Sequence, residues 1–139
     1  MSWLSIVGIG EDGVEGLGSA AKGAIVNADY VFGGTRHLQL AAPLLMGETR
    51  PWLTPFSDSV DAIVALRGRA VCVLASGDPM HFGVGATLAR RIKSDEITVY
   101  PHPSAFSLAA ARLGWPLQDV LNLSLHGRPV DLIRPHLHA

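Results

Sequence analysis

The run Ala70-Val71-Cys72-Val73-Leu74-Ala75 admits few folds. It is uniformly apolar, far shorter than a membrane span of about 20 residues, and it ends at once in Ser76-Gly77-Asp78-Pro79. A strand without a polar side has to be covered on both faces. That is the situation of a central strand in a parallel sheet flanked by helices.

The segments around it support the same reading. Trp3 to Val7 is apolar and β-branched enough for a buried strand, and it runs into a glycine cluster. Ser19 is placed to cap a helix through about Ala28. Tyr30 to Phe32 reads as a short strand, followed by a helical stretch from Thr35 towards Leu45. Glu48 to Phe56 carries Pro51 and Pro55 and reads as a loop or an edge strand. Val60 to Leu66 reads as a helix, Gly85 to Lys93 as another, and Ile97 to Tyr100 as a strand. The repeated β–α order predicts an α/β fold, a parallel-type sheet with flanking helices.

Pro101-His102-Pro103 interrupts this pattern and marks an expected boundary, with one α/β domain over 1–101 and the start of a second over 102–139. Ser104 to Leu113 has the spacing of an amphipathic helix, and Val120 to His126 alternates like a half-buried strand. One helix, one strand and a tail cannot bury a core. The second unit is therefore expected to be incomplete, with apolar faces that favour self-association or marginal stability.

The chain has 139 residues, 48% hydrophobic and 17% charged, with a formal charge of −1. It has the means to bury a core, and it lacks the clustered Lys and Arg that nucleic acid requires. No basic start with an apolar stretch and cleavage site is present. Together with the short apolar runs, this points to a cytoplasmic protein without a membrane partner. Cys72 lies within the apolar strand and reads as a packed hydrophobe rather than a nucleophile. His136 and His138 stand in the tail without metal-ligand spacing to a Cys or carboxylate cluster, so no metal site is expected.

Two loops carry candidate chemistry. Gly8-Ile9-Gly10-Glu11-Asp12-Gly13 formally matches the dinucleotide fingerprint, in which backbone N–H groups meet a pyrophosphate at a helix start. Gly16 and Gly18 oppose a helix opening there, and Glu11 and Asp12 would meet phosphates with negative charge. A plain strand-to-helix connection and a loop lining a ligand cleft are the other readings. Ser76-Gly77-Asp78-Pro79-Met80-His81-Phe82-Gly83 follows the strongest strand, and ligands of open parallel sheets bind beyond the carboxyl ends of strands. Gly77 permits a sharp turn, Asp78 can anchor it through backbone N–H groups, and Pro79 sets φ. A simple turn capping the next helix uses the same residues.

Together these stretches resemble the tetrapyrrole methylase superfamily. Val7-Gly8-Ile9-Gly10-Glu11-Asp12-Gly13 is similar to its N-terminal glycine loop, although many members carry Gly-Pro-Gly where this chain has Glu11-Asp12-Gly13. Ser76-Gly77-Asp78-Pro79 with Phe82-Gly83 resembles its S-adenosylmethionine loop. Gly33-Gly34-Thr35-Arg36-His37-Leu38, the stretch from Pro103 to Pro116, and Ser124-Leu125-His126-Gly127-Arg128 are similar to the branch acting on precorrin-6Y and its cobalt counterpart.

The resemblance implies two α/β domains with S-adenosylmethionine and a tetrapyrrole between them, and methyl transfer to ring carbon 5 in cobalamin biosynthesis. It implies cofactor contacts at Glu11, Gly77, Asp78, Pro79, Met80 and His81, with Ser104 and Ala105 added from the next helix start. Substrate contacts would fall at Gly8, Gly10, Asp12, Arg36, His126 and Arg128, the arginines suiting the carboxylates of a precorrin. No residue is assigned a catalytic role, since aligning carbon with methyl supplies much of the acceleration. Relatives are often fused to a second methyltransferase module, expected downstream here, and a homo-oligomer is compatible with the reading. This stretch alone is expected to be inactive. The alternatives are another methylase of the corrin pathway, a Rossmann-type dinucleotide-binding domain, and a non-catalytic fragment.

Overall fold

A computed structural model of the chain describes residues 2–80, 84–103 and 105–119. The expectations for His81, Ser104, the strand Val120 to His126, and Arg128 lie outside these residues. The chain divides into two units, 1–104 and 105–139.

In the first unit, β1 (Leu4–Ile9), β2 (Tyr30–Gly33), β3 (Glu48–Pro51), β4 (Val71–Ser76) and β5 (Ile97–Tyr100) form one sheet in the order β3-β2-β4-β1-β5. Every pairing is parallel. The uniformly apolar run is β4, flanked by β1 and β2. Its side chains alternate between two cores: Cys72 and Leu74 enter one, Val71 and Val73 the other. Burial pushes the Cys72 thiol up to about 12, so it packs as a hydrophobe and is not a thiolate.

Topology explains the two cores. From β1 through β2 to β3 the chain moves towards one edge, and from β3 through β4 to β5 it returns past the start. Right-handed crossovers put oppositely directed connections on opposite faces. Accordingly α1 (Ser19–Val26) and α2 (Thr35–Leu40) cover one face, with Ala21, Ile25 and Leu38 packed there. The other face takes α3 (Phe56–Ala65) and α4 (Val84–Leu88), through Val60, Ile63 and Leu88.

Element ends differ from expectation for local reasons. Gly18, not Ser19, is the N-cap of α1, and it makes no side-chain cap. α3 begins at Phe56, four residues before the apolar spacing becomes visible at Val60. There Phe56 packs edge-on against Trp52 at 4.8 Å, and buried Ser59 accepts the Leu53 N–H at 2.7 Å. α4 stops at Leu88 because the N–H groups of Arg90 and Arg91 bond three residues back, to Thr87 and Leu88, which tightens the turn. Glu48–Pro51 is an edge strand, and its proline sits where a missing donor is tolerated.

In the second unit, the described residues form α5 (Ala105–Leu113) and a short 3₁₀ turn, Leu117–Asp119. Leu108, Leu113, Trp115 and Leu117 are exposed.

Candidate functional site

β2 and β4 are neighbours, yet the chain leaves β2 towards β3 and leaves β4 in the opposite direction, towards β5. Divergent exits open a crevice beyond the carboxyl ends of the strands, where ligands of open α/β sheets bind. The loops after β1, β2, β4 and β5 end at this side of the sheet.

The ends of β1 and β4 are pressed together. Gly8 pairs with Ala75 in the β1–β4 register. A Cβ at Gly8 would run into the Gly77 carbonyl and lie 2.9 Å from the His102 backbone nitrogen. Only glycine allows that approach. Gly77 itself turns with φ of 56°, and its N–H points to the Ile9 carbonyl at 3.4 Å. Asp78 Oδ1 then accepts the Met80 N–H at 3.0 Å, the Asx-type anchor that the sequence suggests. The Pro79 carbonyl accepts the Gly85 N–H at 3.0 Å, fastening the loop to α4. Met80 remains 49% exposed, an apolar side chain beside a polar turn.

The first glycine loop is also closed on itself. The Gly10 carbonyl accepts the Gly13 N–H at 3.0 Å, and a 3₁₀ turn follows over Gly13–Gly16. The regular helix opens only at Ser19. A dinucleotide site needs that helix start at the third glycine, so the geometry opposes the fingerprint reading. Asp12 Oδ1 lies 3.7 Å from His102 Nε2, a pairing that holds when the ring is protonated.

Glu11 and Arg36, expected to face different ligands, meet each other: Arg36 Nη2 donates to Glu11 Oε2 at 2.5 Å. Both side chains are mostly exposed, so the pair contributes about 0–1 kcal/mol. Either partner is therefore readily exchanged for a ligand group.

Next to Arg36, His37 Nε2 lies 2.7 Å from Ser76 Oγ, tying α2 to the end of β4. Its Nδ1 is buried without a partner. Burial holds the His37 pKa below 6.5, opposed by Glu11 and reinforced by Arg36. His37, Ser76 and His102 thus join Gly8, Gly10, Glu11, Asp12, Arg36 and the Gly77–Met80 turn at this end. Sequence reasoning assigned no role to those three. The signal was present, because His37 and Ser76 lie inside the quoted family stretches. Ala105 opens α5 in the second unit. Among the described residues, no group of three or more His, Cys, Asp and Glu could hold a metal ion. None of the described helices is long and apolar enough to cross a membrane.

A groove of about 640 Å³ lies elsewhere in the first unit, lined by Trp3, Ser5, Asn27, Arg69 and Tyr100 among others. It runs along α1 and opens at the strand starts, away from the crevice, so its size does not make it the site.

The chain matches the family of tetrapyrrole (corrin/porphyrin) methylases over residues 4–138. It is 62% identical over 136 residues to precorrin-6Y C(5,15)-methyltransferase [decarboxylating] of Sinorhizobium sp., covering 98% of this chain and 33% of that protein. It is 34% identical over 128 residues to cobalt-precorrin-7 C(5)-methyltransferase of Salmonella typhimurium, covering 92% of this chain and 63% of that protein. The solved precorrin-6Y methylase of Archaeoglobus fulgidus superposes with a TM-score of 0.72 at 31% identity, covering 94% of this chain and 68% of that one. The chain spans about a third of the length of the Sinorhizobium relative. With the parallel sheet, the divergent strand exits and the whole-length match all agreeing, this chain belongs to the tetrapyrrole methylases.

Proposed function

We propose that this chain is the front part of an S-adenosylmethionine-dependent precorrin methyltransferase that methylates ring carbon 5 in cobalamin biosynthesis. The observation that carries the reading is the Ser76–Met80 turn, anchored by Asp78 and set against Gly8 at the crevice. The residues fit the cofactor: the half-exposed Met80 side chain offers an apolar contact, and the turn adds the hydroxyl of exposed Ser76. S-adenosylmethionine supplies an electrophilic methyl group when bound.

The chain's own residues hold and orient. Gly77, Asp78, Pro79 and Met80 edge the cofactor, with Glu11 on the facing loop. Arg36 releases Glu11 and takes a substrate carboxylate, where its planar fork allows two parallel hydrogen bonds. Gly8, Gly10 and Asp12 border the substrate side. His81, Ser104, Ala105, His126 and Arg128 complete the two sets as the family resemblance assigns them. Residues 1–101 act as the N-terminal α/β domain, and 102–139 begin the second. A further methyltransferase module downstream, self-assembly and a cytoplasmic setting belong to the same reading.

The test is calorimetry and turnover with the full-length protein. S-adenosylhomocysteine is expected to bind and NAD to be inert, with methyl transfer to precorrin substrate detected by mass. Binding of NAD in place of S-adenosylhomocysteine would refute the reading.

A further inference from the structure

We propose that His37 is a positioning residue that turns the Ser76 hydroxyl outward as a hydrogen-bond donor to a carboxylate of the bound ligand. The proposal rests on the methyltransferase reading above, which supplies ligands bearing carboxylates. The position of one proton decides the geometry. A neutral imidazole has a single N–H, and His37 has one nitrogen at Ser76 and one buried without a partner.

A proton on Nδ1 would bury an unsatisfied donor, with the full desolvation penalty of that group. A proton on Nε2 leaves only a lone pair unmatched, the milder defect. Nδ1 faces the backbone at Gly34, where a Cβ would stand 3.4 Å away. The N–H therefore sits on Nε2 and points at Ser76 Oγ.

Ser76 then accepts from His37, and its own hydroxyl hydrogen is left for a third partner. Ser76 is the last residue of β4 and is exposed, at the crevice between β2 and β4. A second ring proton would have to occupy the partnerless Nδ1, beside the Arg36 guanidinium, while Glu11 stands on the facing loop. The charged groups around the ring thus come from the β1 loop and from α2, and burial keeps the ring neutral. A neutral ring fixed as donor to Ser76 takes one of the serine's two lone pairs and leaves its hydroxyl hydrogen free to donate. A carboxylate oxygen is the ligand group that best accepts from it, as a charge-assisted bond.

Two ligands could supply that oxygen: the methionyl group of the cofactor, or the tetrapyrrole. The full-length protein separates them. S-adenosylhomocysteine and 5′-methylthioadenosine, which lacks the carboxylate, are titrated into wild type, Ser76→Ala and Ser76→Thr, and KM and kcat are measured for the tetrapyrrole. Loss of about tenfold for S-adenosylhomocysteine with Ser76→Ala, without loss for methylthioadenosine, assigns the cofactor carboxylate. A comparable rise in tetrapyrrole KM with kcat kept assigns the substrate. Ser76→Thr, which retains the hydroxyl, should restore most of either loss. His37→Gln, which can offer an amide N–H, should be milder than His37→Leu.

Nitrogen NMR of His37 in the wild type should find the Nε2–H tautomer and titration below 6.5. An Nδ1–H tautomer, or a Ser76→Ala protein with wild-type binding and kinetics, would overturn the proposal. A wild type that binds neither ligand would instead bring down the methyltransferase reading, and this proposal with it.

Discussion

The two ends of the parallel sheet are built to opposite rules. At the strand starts, several side chains are already tied to one another. Arg67 pairs with Glu96 at 2.9 Å, Trp3 Nε1 donates to the same carboxylate at 3.0 Å, and Arg69 lies over the Tyr30 ring. These bonds, the Trp3 contact foremost, hold the Glu96 carboxyl below its usual range. Yet this end has the roomy groove, beside the small residues Ala20, Gly23 and Ala24. At the carboxyl ends the backbone is crowded, but the polar groups are left with capacity to spare. Ser76 is exposed, His37 Nδ1 has no partner, and the Arg36–Glu11 pair is exposed on both sides. Empty volume marks where packing is loose. Unspent hydrogen-bonding capacity beside a rigid turn marks where a ligand is expected.

The sharpest way to break this comparison is a methyl group placed at each end. Gly8→Ala has backbone, not a flexible side chain, in its way. It should destabilise the protein by about 3 kcal/mol, read as a urea midpoint shift. Gly23→Ala, inside α1 with nothing near its added Cβ, should stabilise by about 0.5–1 kcal/mol. Equal costs at both positions would remove the claimed difference in crowding.

A smaller effect is expected from Asp78→Ala. Losing the acceptor for the Met80 N–H frees the turn, and S-adenosylhomocysteine affinity of the full-length protein should fall about tenfold. The fold should survive, since Asp78 contributes to neither core. Unchanged affinity in calorimetry would show that the turn is not part of the site.

Least visible in stability should be Arg36→Ala, within about 1 kcal/mol by urea titration because its ion pair is exposed. Its effect belongs in kinetics, as a raised KM for the tetrapyrrole with cofactor affinity preserved. A stability loss without a kinetic change would make Arg36 an ordinary surface partner of Glu11.

Much of the fold was legible because the strands declare themselves. β4 has no polar side chain between Val71 and Ala75, and such a run fits only the middle of a covered parallel sheet. The start of α3 was not legible, because Phe56-Ser57-Asp58-Ser59, coming straight after Pro55, reads as a loop until Trp52 and Leu53 are seen to hold it. The two loops of the site were readable from their glycines and from the resemblance. The pairing of His37 with Ser76 was not, since 39 positions separate them and only the sheet order brings them together. Likewise, no spacing rule told that Glu11 and Arg36 would face each other.

Ligand binding is assigned to the carboxyl ends of the strands rather than to the groove along α1. Hydrogen exchange of the full-length protein with and without S-adenosylhomocysteine tests it most directly. Protection should rise at the amides of Gly8 to Gly13 and Ser76 to Met80, and stay level at Ala20 to Asn27 and Arg67 to Val71. Protection confined to the latter two segments would contradict the account.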